Sequence, residues 1–283
     1  MTGWVAFALL AINVAQDPGA IDEKRLAQRL EERFARQSKA YHFALDTDGK
    51  HPLERHDRPI MRWTADGNYG AVWIWTERGR PQLVGCIGAF QNNAGQLEGF
   101  YEFQLLSTKP IPATNIGNDY RWEPSQGGPA PKPLADAPAP VATTRLRALQ
   151  MRQLAREFSA DMKSGEQIHH LRLSSTPLFE YQSRDDEAVE GALFSFLWDK
   201  GTDPELLLLI ELRKTMDGPR WFYVPARFTW RELTLRHGDT VLWQEEAQVE
   251  SRTARHLRKP YVSCPVGTIN LAADGEEARD VSQ

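Results

Sequence analysis

Cysteine is scarce. Cys86 and Cys264 are the only two in 283 residues, too few for a disulfide-stapled scaffold. There is no C-x-x-C pair, no Cys/His spacing of a structural zinc site and no Walker-type phosphate loop, so the sequence gives no motif for redox, zinc-module or nucleotide chemistry. No serine sits in a G-x-S-x-G elbow, and Ser195 falls in the middle of an apolar run where packing explains it. Basic charge is not in excess either: 34 Lys and Arg against 38 Asp and Glu leave a net charge of −4, which argues against a nucleic-acid binder. One local basic run, "RTARHLRK" (Arg252–Lys259), reads as a solvated surface, with contact to an anionic surface as the alternative. Long hydrophobic runs are also missing. The uncharged stretch Trp4–Ala15 has twelve residues, whereas a membrane-spanning helix needs about 20.

That stretch fits the apolar region of a secretory leader, with cleavage near Ala15 or Gln16. It lacks the usual Lys or Arg before it, and a buried N-terminal element is the alternative. Asp17-Pro18-Gly19 and a polar helical pattern follow at once, which favours a signal peptide over 1–16. The expectation is an extracytoplasmic protein, periplasmic or secreted, with no stable membrane span after cleavage. Cys86 in "LVGCIGAF" reads as a small buried apolar residue, and a Cys86–Cys264 disulfide is left open. Hydrophobic residues at 41%, with nine Trp and twelve Phe, suffice for a sizeable core.

Periodicity predicts a helix over 22–45, with Leu26, Leu30 and Phe34 on one face, followed by four strands between Pro59 and Ser107. Eight prolines between Lys109 and Thr143 exclude a long helix or a central strand and read as a linker. The pattern then begins again. A helix from Thr144 to Lys163 is expected to bury Leu146, Leu149, Leu154 and Phe158 and to stop at Gly165; strands follow to Gln244. "GAVWIW" at Gly70 and "GALFSF" at Gly191 are related by an offset of roughly 120 residues, as are Pro81 and Pro204, and Phe100-Tyr101 and Phe222-Tyr223. The expected fold class is α+β: two tandem copies of a helix followed by an antiparallel β-meander, each helix packed on a curved sheet. The units are 17–108 and 144–248, joined by 109–143 and followed by a basic segment and acidic tail over 249–283.

Few residues offer chemistry. His51, His56 and Asp57 in "HPLERHDRP" are candidate metal ligands, although their spacing matches no established site and a solvated loop explains them. His169 and His170 are adjacent on a strand and point to opposite faces. Glu211, inside "LLLLIELRK", is the catalytic candidate: a buried carboxylate either has a partner, such as Arg227, or a raised pKa. Trp73, Trp75, Phe194 and Phe196 form two aromatic stripes that are core by default and a ligand-binding groove otherwise.

"GAVWIWTERGRPQLVG", "YEFQLLS", "RLRALQMRQLAREFSA", "PLFEY" and "GTDPELLLLIE" together resemble a group of uncharacterised exported proteins of planctomycete-type bacteria, over about Arg33 to Trp243. The resemblance implies export and architecture but no activity. In that group histidines often stand where this chain has Tyr101 and Gln104, so a site built on them would be missing here. Three functions follow. The first is a non-catalytic exported binding or scaffold protein with a protein partner in the cell envelope. The second is a carrier of an apolar small ligand. The third is a hydrolase using Glu211 with His169 or His170. No cofactor and no nucleic acid is expected.

Overall fold

The computed structural model describes residues 18–65, 67–117, 120–184, 187–199, 201–248 and 256–271. The expected leader at 1–16, residues 252–255 of the basic run and the acidic tail from Asp274 lie outside the described residues. In chain order the elements begin with α1 (Pro18–Lys39), β1 (Glu54–Arg55), β2 (Met61–Ala65), β3 (Asn68–Glu77), β4 (Arg80–Gln91) and β5 (Leu97–Leu105). Then come β6 (Thr114–Ile116), β7 (Tyr120–Trp122), β8 (Lys132–Pro133), α2 (Thr144–Arg156), β9 (Phe158–Ser164), β10 (Gln167–Leu173) and β11 (Phe179–Gln182). The last are β12 (Ala188–Leu197), β13 (Pro204–Thr215), β14 (Gly218–Arg227), β15 (Glu232–His237), β16 (Thr240–Glu245), β17 (His256–Leu257) and β18 (Tyr261–Thr268).

Two large antiparallel sheets result. The first runs β1-β3-β4-β5-β18, with β2 also on β3; the second runs β16-β15-β9-β10-β12-β13-β14-β8, with β11 also on β12. A small sheet, β17-β7-β6, holds the one parallel pair among the described residues, β17 with β7. The inner faces of the large sheets meet: Val72, Ile74, Val84 and Cys86 of the first pack in one cluster with Leu193, Leu207, Leu209 and Val224 of the second. Outside the first sheet, α1 supplies Leu30 and Phe34 to a core with Trp73, Trp75, Phe103 and Trp122. Outside the second, α2 supplies Met151, Leu154 and Ala155 to a core with Phe194, Phe196, Leu208 and Ile210. Strands β3, β4, β12 and β13 are therefore buried on both faces, which is why they read as nearly unbroken apolar runs.

This corrects the expected fold class. Strands make up 51% and helix 13%, with two helices among the described residues, so the chain is a mostly β protein of large curled antiparallel sheets and not two helix-plus-meander repeats. Strands from far along the chain complete the sheets: β18 pairs with β5 in the first sheet, and β8 from the proline-rich segment pairs with β14 in the second. Both expected helices end early. α1 stops at Lys39, because Tyr41 and Phe43 alternate into the outer core. α2 stops at Arg156; Phe158, Ala160 and Met162 bury every second residue as β9, and Gly165 (φ +62°) serves the β9–β10 hairpin. The buried face of α2 also differs from the expected one. Leu146 and Leu149 are 51% and 49% exposed, while Gln150 is buried, accepting from Val141 N and donating to the Pro138 and Ala139 carbonyls.

The cysteines are free and sit on opposite faces of the first sheet. Cys86 faces the second sheet and Cys264 faces the α1 side, so no disulfide joins them. Among the described residues no helix is long and apolar enough to cross a membrane.

Candidate functional site

Strand β13 carries a carboxyl at each end of one row. Side chains alternate across a strand, so Leu206, Leu208 and Ile210 face the α2 core, while Leu207 and Leu209 face the first sheet with Glu205 and Glu211. Six residues of strand put roughly 20 Å between the two acids. Both are nearly inaccessible, and their surroundings differ.

Glu211, fully buried, is saturated. Arg80 of the first sheet donates Nε to Oε1 at 2.7 Å and Nη2 to Oε2 at 3.2 Å. Arg213 donates to Oε2 at 3.1 Å, and the Tyr181 hydroxyl donates to Oε1. Gly191 makes room for that hydroxyl: a Cβ there would stand 2.6 Å from it. Burial pushes the Glu211 carboxyl up, but Arg80, the Tyr181 hydrogen bond and Arg213 outweigh it and hold the carboxyl below its ordinary range. The cross-strand partner anticipated from sequence, Arg227, donates instead to the Thr229, Arg231 and Glu246 carbonyls and to Gln248. No histidine is among the hydrogen-bond partners of Glu211; His170 pairs with Asp161 at 2.6 Å, and His169 lies edge-on to Trp198.

Glu205, at the other end, opens on a cleft of about 280 Å³ between the sheets. The second sheet and its loops bring Asp203, Glu205, Phe228, Trp230 and Arg231 to it. The first sheet brings Trp63, Cys86, Phe100, Glu102 and Ser263. Glu102 and Ser263 stand opposite each other on β5 and β18, and Cys86 stands opposite Glu102 on β4. Two glycines shape this wall. A Cβ on Gly70 would stand 2.3 Å from the Trp63 indole, and one on Gly88 the same distance from the Phe100 ring, so both aromatics lie flat over backbone.

The carboxyls of the cleft all hold protons more tightly than usual. Burial pushes Glu102 up to about 8, against the hydrogen bond it accepts from the Tyr261 hydroxyl. Burial and the neighbouring Asp203 carboxylate push Glu205 well up, and burial raises Asp203. The two carboxyls interact: the Asp203 charge disfavours ionisation of Glu205, while Glu205 partly offsets the effect of burial on Asp203. Asp203 Oδ1 and Glu205 Oε1 make no hydrogen bond of ordinary geometry; the Thr229 hydroxyl lies beside the Glu205 carboxyl and the Asp203 amide beside its own, and the Arg231 guanidinium lies 3.7 Å from Glu205 Oε1. Trp63 Nε1 and Arg231 Nε likewise make no hydrogen bond of ordinary geometry, with the weakly accepting Cys86 sulfur beside the indole.

A larger groove of about 670 Å³, behind Tyr261, is lined by Gly127, Gly128, Lys132, Trp243 and Lys259. Its buried cation, Arg227, is fully engaged with carbonyls and Gln248, so size alone does not make this the reactive place.

The other sequence candidates lie elsewhere. Trp73 and Trp75 belong to the α1-side core, and Phe194 and Phe196 to the α2-side core; none of them lines either cleft. His51 faces Asp46 at 3.8 Å and Glu77 at 3.6 Å, while His56 is bound to the Arg58 carbonyl, and Asp57 is exposed. Among the described residues no group of three or more His, Cys, Asp or Glu is arranged to hold a metal ion. Sequence reasoning missed Glu102, Asp203, Glu205, Trp63 and Arg231. A signal was present: Glu205 is an even number of residues from Glu211 in a strand, so whatever face buries one buries the other. The chain matches no family model, no curated protein and no solved structure.

Proposed function

We propose that this chain is a non-catalytic binding protein that holds a small ligand in the cleft between its two sheets. The observation that carries the reading is the set of buried polar atoms without a hydrogen bond of ordinary geometry around one opening, at Asp203, Glu205, Trp63 and Arg231. Leaving such atoms unpaired costs about 1–3 kcal/mol each, and a bound molecule relieves that cost. The apolar sequence of residues 1–16 supports placing this binding outside the cytoplasm.

A hydrolase acting through Glu211 and a histidine has less support, because the Glu211 oxygens are already engaged by Arg80, Arg213 and Tyr181. Acid–base chemistry would suit the Asp203–Glu205 pair better, since both carboxyls are perturbed and line a cleft.

Native mass spectrometry of the protein recovered gently from its source tests the reading. A retained small mass is expected, lost in Ser263→Phe, which fills the cleft from the β18 wall. The mass of the chain itself reports whether residues 1–16 have been removed. A bound mass that survives Ser263→Phe, or a protein partner in its place, overturns the cleft as the binding site.

A further inference from the structure

Building on the cleft reading, we infer that the ligand is a small, neutral, polyhydroxylated ring compound, a sugar or cyclitol, gripped by Glu205, Asp203, Trp63 and Arg231. The unpaired atoms define the class. Glu205 is 2% exposed and Trp63 8%, so neither Oε1 of the former nor Nε1 of the latter has water to rely on. One is an acceptor and the other a donor; Asp203 Oδ1 adds an acceptor and Arg231 Nε a donor. A hydroxyl satisfies either kind, and a ring bearing several can serve all four together. An aliphatic or fatty ligand serves none and would seal them off from any partner.

Charge narrows the class further. A cation meets Arg231, whose guanidinium already lies over the Trp198 ring at 5.0 Å and the Trp230 ring at 5.1 Å. An anion meets three carboxyls. The cleft carries both signs of charge and little of either: burial disfavours the ionised forms of Glu102, Asp203 and Glu205, and the Arg231 guanidinium, 3.7 Å from Glu205, offsets carboxylate charge. A neutral ligand therefore enters without an uncompensated buried charge. Its apolar ring faces find Phe90, Phe100, Phe228 and Trp230 in the cleft walls. At about 280 Å³ the cleft falls just below the ordinary range for ligand sites, which starts at roughly 300 Å³, and so suits one or two rings.

Saturation-transfer NMR on the whole protein at pH 6.5 provides the test. The probes are glucose, galactose, maltose and myo-inositol, alongside glucosamine, gluconate, hexylamine and octanoate. At least one neutral compound is expected to bind about tenfold more tightly than the charged and apolar probes. Glu205→Met removes the acceptor at constant length, and Trp63→Phe removes the N–H while keeping a ring over Gly70. Each should weaken that neutral compound about tenfold or more, with folding checked by circular dichroism. Binding of the amine, acid or apolar probe in preference to every neutral one overturns the class but leaves the cleft reading standing. Transfer unchanged in both variants puts the sugar at a different place and overturns the proposal. If no neutral probe shows transfer at about 10 mM, weaker than any specific site, the proposal also fails. A mass that native spectrometry retains and Ser263→Phe loses would then still support the cleft.

Discussion

Glu205 and Glu211 have one chemistry and opposite fates. Arg80, Arg213 and Tyr181 turn Glu211 into a structural tie between the sheets, while Glu205 meets a like charge and an opening. Sequence could show that Glu211 was an acid in an apolar strand. It could not show the partner, because Arg80 lies 131 residues away on the other sheet and no local period connects them. Arg80→Leu should expose the consequence. Removing one member of a buried pair costs about 3–5 kcal/mol, and Arg213, which keeps its contact with Glu211 Oε2, places this loss at the low end of that range. A lower urea midpoint at unchanged slope is the expected signature. The double variant Arg80→Leu/Glu211→Leu should recover most of the loss, since an apolar pair of similar volume is tolerated where a lone charge is not. If the double variant is no more stable than Arg80→Leu alone, the tie is not what holds this end of the interface.

At the scale of elements, the central strands of the two large sheets were legible because each alternates or runs apolar between Gly-containing turns, whereas β8, β9 and β18 were not. Nor were the ends of the helices. "EFSADMKSG" continues a helical spacing through Phe158, four residues after Leu154, and Gly165 resembles a helix stop. The competing period of two, Phe158, Ala160 and Met162, wins because β15 and β10 flank it on both sides and bury that row in the α2 core. Gly165 then has a hairpin's duty. Its φ of +62° and the open space around it mean that an added Cβ meets strain but no neighbour. Gly165→Ala should therefore cost about 1 kcal/mol, and Gly165→Asn less, because asparagine tolerates the left-handed region. Thermal melts of the two variants measure this. Equal melting temperatures for Ala, Asn and Gly would mean that the turn is not under this constraint.

Over the whole molecule, the placement of the cleft depends on long-range closure that a single sequence does not display. Glu102 becomes a cleft residue because β18 returns beside β5, and Tyr261 at the start of that strand donates to it. The same closure gives the protein an unusual dependence on pH. In the folded chain Glu102 keeps its proton up to about 8, against 4.5 for an ordinary glutamate. Asp203 and Glu205 are raised as well. Between those values the unfolded chain has released protons that the folded chain retains, so unfolding releases protons and is favoured as pH rises. The stabilisation is complete below 4.5 and is lost as pH climbs through about 8. Glu211 works in the other direction: its carboxyl is lowered, and its contribution disappears as acid protonates it. Stability should thus peak in mildly acidic solution and fall across neutrality. Glu102→Gln, which still accepts from the Tyr261 hydroxyl, should flatten the decline between about pH 5 and 8 without moving the acid limb. Urea midpoints measured across pH for the two proteins decide it. A wild-type profile that is flat or rising through that window would mean that these carboxyls are ionised in the folded protein, and that the cleft is a charged site and not a neutral one.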